Sequence, residues 1–140
     1  MYNPTRDQAR DFFFDAWSRY RASQPLTDLE KIAVEIIALH PEYHALLDAR
    51  ERNIDRDWTP EHGEANPFLH LSLHLSIAEQ VATDRPAGIR AEFERLAAKH
   101  GDRHDALHDL LDCLGETMWR AQRDGVPPDA AAFLECVRKR

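Results

Sequence analysis

An all-α fold, a single helical bundle of about six or seven helices, is what this sequence predicts, and three observations carry the prediction. Apolar residues recur about every 3.6 positions in each long segment, and no stretch keeps the period of two that a half-buried strand requires. Capping residues and prolines stand where those segments should begin and end. The 140 residues fit one domain, 1–140, and an apolar content of 43% with 31% charged residues suits a globular chain with its own core.

The elements follow in order. Asn3 or Thr5 can open a first helix whose apolar face holds Ala9, Phe12, Phe13, Ala16, Trp17 and Tyr20, read as core. Gln24-Pro25-Leu26 breaks the chain, and Thr27-Asp28-Leu29-Glu30 has the form of a capping box, in which Thr27 accepts from the Glu30 N–H while Glu30 reaches back. The second helix carries Leu29, Ile32, Ala33, Ile36, Ile37 and His40 on one side. Pro41 ends it by removing a donor and biasing His40 away from helical angles, and a short third helix with His44 and Leu47 begins there. From Arg50 to Asn66 the sequence is polar and without period. This longest loop, with Trp58, Glu61, His62 and Glu64, is placed to cover a site.

Asn66 caps the central helix and Pro67 fills its first position, where a missing N–H costs nothing. At about 100° per residue, His70, Leu73, His74, Ile77, Ala78 and Val81 share one face, with Ser72, Ser76 and Glu79 opposite. The helix runs to about Thr83. After the turn at Asp84–Gly88, a fifth helix presents Ile89, Phe93, Leu96, Ala97 and His100 and closes at Gly101. Asp102 caps the sixth, whose stripe of Leu107, Leu110, Leu111, Leu114 and Met118 is flanked by His104, His108 and Trp119. Gly125 ends that helix. Pro127-Pro128 restart the chain into a last one carrying Phe133, Leu134 and Val137, with a basic end that suits the helix dipole.

Charge and motifs exclude several classes. A formal net charge of −7, from 25 acidic and 18 basic residues, opposes attraction to nucleic acid or anionic lipid, so neither a nucleic acid nor a membrane is expected as a partner. The first residues contain no apolar export segment and no run reaches transmembrane length. Cys113 and Cys136 match no CxxC spacing and are expected as reduced, inert thiols of a cytoplasmic protein. There is no phosphate-binding glycine loop, no GxSxG and no HExxH.

The histidines carry the chemistry. Six of the eight form three identical spacings, His40–His44, His70–His74 and His104–His108. On a helix an HxxxH pair sets two imidazoles one turn apart on one face, where both can reach one transition-metal ion, and three helices can converge on it. Neutral imidazole suits zinc, iron or copper. Asp112 extends the column of His104 and His108 as a carboxylate ligand or orienting acceptor. The expected metal ligands are therefore His40, His44, His70, His74, His104, His108 and Asp112. The competing reading is a non-catalytic interaction or dimerisation module, possible as a homodimer, whose histidines are packed and hydrogen-bonded. A buried imidazole must find partners for both ring nitrogens whatever its role.

The motifs Asn66-Pro-Phe-Leu-His-Leu-Ser-Leu-His74, His40-Pro-Glu-Tyr-His44 and Gly101-Asp-Arg-His-Asp-Ala-Leu-His108, with Leu114-Gly115-Glu116 following, resemble those of a bacterial family known as domain of unknown function 1841 over nearly the whole chain. That resemblance implies a stand-alone cytoplasmic protein and brings no substrate, small-molecule ligand or catalytic residue. A looser similarity is to hemerythrin-like and DinB-like helical bundles, which place HxxxH or HxxxE/D pairs on core faces and bind metals there. Their full ligand order is not reproduced. Six histidines also match in number the coupled two-copper sites with three imidazoles per ion, although Pro41 departs from the continuous helices those use.

Overall fold

The computed structural model describes residues 6–56, 58 and 66–140, and all regular structure among them is helical. The α-helices are α1 (Arg6–Arg21), α2 (Asp28–Ala38), α3 (His44–Asp48), α4 (Arg50–Asn53), α5 (Pro67–Thr83), α6 (Ile89–His100), α7 (Arg103–Asp124) and α8 (Ala130–Arg138), with a 3-10 turn over Pro41–Tyr43. The all-α expectation holds. The expected count of six or seven becomes eight among the described residues, because the polar stretch after Arg50 forms the single turn α4. Contacts divide the chain into two compact units, Met1–Leu75 and Ser76–Arg140.

In the first unit α1 packs on α2 and α3. Its core joins Phe13, Phe14, Trp17, Ile37, Leu71 and Leu75. The capping box of α2 forms as the sequence predicts: Glu30 N donates to Thr27 Oγ1 at 3.2 Å, and Thr27 N to Glu30 Oε1 at 2.9 Å. Asn66 starts α5 by accepting from the N–H groups of Phe68 and Leu69 at 2.9 and 3.3 Å. Trp17 is buried, and its Nε1 donates to Asp48 Oδ1 at 2.8 Å, tying α1 to the end of α3.

Two faces differ from expectation. Helix α5 buries Phe68, Leu71, His74, Leu75 and Ile77, whereas Leu73, Ala78 and Val81 are only partly covered. The cause is that α5 is apolar almost all round its circumference, so the period cannot choose the buried side. On α1, Phe14 is buried and Tyr20 is exposed. Arg10, a cation on a core-facing helix, is 2% exposed. Its guanidinium donates to the carbonyls of Ile54 and Arg56 at 2.9 and 2.8 Å and lies over the rings of Trp58 and Phe68. Burial is tolerable because the charge is both hydrogen-bonded and stacked on aromatic faces.

In the second unit α6 packs on α7, and α8 packs on both. Gly101 and Gly125 close α6 and α7 in the left-handed region, at φ 70° and 64°, where a side chain would be strained. Asp102 caps α7 through the His104 N–H at 2.7 Å, and Asp129 caps α8 through the Ala132 N–H at 3.1 Å. The expectation of two reduced cysteines is overturned. Cys113 and Cys136 form a disulfide, with Cα atoms 5.8 Å apart, because α7 and α8 lie side by side with these two positions facing. Among the described residues no helix is long and apolar enough to cross a membrane.

Candidate metal centre

The first unit gathers three imidazoles. His40 follows the C-terminus of α2, while His70 and His74 stand one turn apart on α5. All three ring pairs have centroids 4.8 Å apart, with interplanar angles between 66° and 75°. His40 and His74 are 3% and 1% exposed, and His70 is partly open to solvent. The triangle therefore has two enclosed members and one that solvent can reach.

The tautomers follow from the partners. His40 Nδ1 lies 2.7 Å from the Ile36 carbonyl oxygen, which can only accept, so Nδ1 carries the proton and donates. Its Nε2 then holds a lone pair. His70 Nε2, 3.0 Å away, supplies the proton to that lone pair. His40 thus has the arrangement of a metal-ligating imidazole, whose far nitrogen is fixed by a backbone carbonyl so that the near one presents a lone pair.

The backbone explains why His40 sits there. Pro41 turns the chain out of α2, leaving His40 at φ −127° and ψ 69°, and its side chain folds back on a carbonyl of the last helical turn. The side chain caps the preceding helix instead of the 3-10 turn that Pro41 begins. Tyr43, at the end of that turn, stacks nearly flat on His40, at 5.5 Å and 10°, and meets His70 edge-on. Burial pushes the Tyr43 phenol above its ordinary range, and the neighbouring Glu42 carboxylate adds to the shift.

The other expected ligands have these places. His44 Nε2 donates to the Ile37 carbonyl at 2.9 Å, with its ring against Trp17 at 4.7 Å. In the second unit His104 and His108 pair along α7 with centroids 4.2 Å apart, both partly buried. The ligand nitrogens of His40 and His74 lie within 4.8 Å of each other, and so do those of His104 and His108. Asp112 is exposed and faces Arg140, with oxygen and nitrogen 3.8 Å apart. His100 meets Asp109 at 2.5 Å. Glu61, His62 and Glu64, expected as a cover, lie outside the described residues.

The HxxxH spacing marked His70 with His74 and His104 with His108. It paired His40 with His44, whereas the structure pairs His40 with α5 and turns His44 toward Trp17. A proline between the two imidazoles is the signal that separates them, since a continuous helical face cannot pass through it. A family described as domain of unknown function (DUF1841) matches residues 5–139 of the chain. No curated protein and no solved structure matches it.

Proposed function

The chain belongs to the DUF1841 family, whose description assigns no activity, and we propose from its own residues that it binds a transition metal ion, zinc, copper or iron, through histidine. The observation that carries this reading is the triangle of His40, His70 and His74. A zinc–imidazole bond of about 2.0–2.1 Å at tetrahedral angles sets donor nitrogens about 3.3 Å apart and ring centroids about 5 Å apart. The 3.0 Å between His40 and His70 Nε2 is a few tenths of an ångström short of that spacing, the three centroid separations of 4.8 Å are close to it, and the donor nitrogens of His40 and His74 lie within 4.8 Å of each other. An ion would displace the proton that His70 now gives to His40, so binding is coupled to proton release. His104 and His108 on α7 form a second donor pair of the same chemistry.

A second reading has its own supporting observation. His40 and His44 both donate to carbonyls at the end of α2, at 2.7 and 2.9 Å, and such bonds stabilise a helix end with no metal at all. On that reading the protein is an interaction or dimerisation module with packed histidines. The net charge of −7 supports neither nucleic acid nor anionic lipid as its partner. Added zinc separates the two. A metal bound only by the folded state raises the melting temperature with its concentration, and the effect should vanish in His70→Ala and His74→Ala. A packed-histidine module melts at the same temperature with or without the ion.

A further inference from the structure

We propose that the Cys113–Cys136 disulfide is a reversible latch on the C-terminal helix, opened by low-molecular-weight thiols attacking the Cys136 sulfur. Only that half of the bond is within reach, since Cys113 is fully buried and Cys136 is partly exposed. Apart from the packing of three apolar side chains, the bond is the strongest single tie on the helix it holds. Helix α8 buries Phe133, Leu134 and Val137 and follows an exposed segment, 126–129. Its polar ties are the bonds from Arg95 to the Val137 carbonyl, 3.1 Å, and from Lys99 to the Arg140 carbonyl, with ion pairs from Arg140 to Asp112 at 3.8 Å and from Arg138 to Glu92 at 4.0 Å. Exposed pairs of this kind contribute little. The two cysteines are 23 residues apart, so the bond closes a loop long enough to confer substantial stability.

The exchange balances as follows. A thiolate RS⁻ attacks Cys136 Sγ, the protein S–S bond breaks, and Cys113 leaves as a thiolate that takes a proton from water. A second RS⁻ attacks the mixed disulfide, releasing RSSR and the Cys136 thiolate, which is protonated in turn. The sum is protein disulfide plus 2 RSH giving protein dithiol plus RSSR, and oxidised thiol reverses it. Glu116 guards the entrance. Its Oε2 lies 3.8 Å from Cys136 Sγ and repels the incoming anion, an effect tempered by Arg120, which donates to Glu116 Oε1 at 2.6 Å.

The test uses the full chain, purified without reductant and incubated with glutathione. In about 10 mM reduced glutathione the bond should open in the folded protein, and oxidised glutathione should close it again. Amide exchange over 130–138 should quicken about tenfold on opening, while α1 to α3 are unchanged. In Cys113→Ser, oxidised glutathione should cap Cys136. In Cys136→Ser, the buried Cys113 should resist capping. Glu116→Gln should raise the opening rate about threefold to tenfold. A bond that survives reduced glutathione in the folded protein overturns the latch, as does exchange over 130–138 that ignores the bond's state. Capping of Cys113, or an opening rate indifferent to Glu116→Gln, overturns the entry through Cys136. The wild-type measurements decide the latch even where a variant fails to fold.

Discussion

His70 donates its Nε2 proton to His40 Nε2 across 3.0 Å, and it does so because His40 has committed its own proton to the Ile36 carbonyl. One backbone acceptor at the end of α2 thereby sets the tautomer of two side chains. Removing the middle of this chain should be costly. His40→Ala empties a site that is 3% exposed and strips His70 of its acceptor, a loss of about 2–3 kcal/mol in the metal-free protein. His70→Ala, at the partly open corner, should cost about 1 kcal/mol. Urea unfolding in the presence of a chelator measures both, and equal effects would show that the chain of donors does not run through His40.

Arg10 offers a second test of a buried polar group. Arg10→Ala leaves the Ile54 and Arg56 carbonyls without their guanidinium donor and removes the cation lying over Trp58 and Phe68. The expected loss is about 3 kcal/mol. Arg10→Lys should recover only a minor part, because a strongly hydrated ammonium lacks the planar guanidinium face that lies over the Trp58 and Phe68 rings. Denaturant titration of the three proteins gives the ranking.

Acid should weaken the first unit through two carboxylates. The Thr27 backbone N–H is the main cause that holds Glu30 below its usual range, with further help from the Thr27 hydroxyl and Arg19. At Asp48, burial pushes the carboxyl up, but hydrogen bonds from Trp17 and Arg21 outweigh it and hold the group low. A carboxyl depressed in the folded state adds stability above its unfolded pKa and loses it as pH falls through the folded value. The decline belongs below about pH 4. Melting curves from pH 5 to 2.5 should show a shallower fall in Asp48→Asn than in the parent, and parallel curves would contradict the assignment.

The α2 start is a local prediction with a local remedy. Thr27→Ala removes the acceptor of the Glu30 N–H and should lower stability by about 1 kcal/mol, whereas Thr27→Ser should restore most of it. Thermal unfolding followed by far-ultraviolet dichroism distinguishes the two.

Features fixed by neighbouring residues were legible in the sequence. The Thr27–Glu30 box, the Asn66-Pro67 start, the Asp102 cap and the left-handed glycines 101 and 125 each follow from chemistry within four residues. What escaped depends on distant parts of the chain. Nothing near Arg10 announces carbonyls more than forty residues later, and nothing in the spacing of Cys113 and Cys136 announces that α8 returns alongside α7. Helix α5 escaped differently, since its apolar residues surround it and two burial choices fit one pattern. The histidine spacing identified the pair on α5. It could not reveal that Pro41 turns His40 onto that pair and leaves His44 with Trp17.

The metal content of the protein itself tests the central claim most directly. Untagged protein, purified without chelator and analysed by plasma mass spectrometry, should carry zinc, copper or iron in stoichiometric amount or take it up on reconstitution. His74→Ala, which removes the most enclosed imidazole of the triangle, should retain less than about a tenth of that amount, as loss of a ligand at a three-imidazole site implies. Protein that neither carries nor takes up any of these metals, or His74→Ala that binds as much as the parent, would contradict the account.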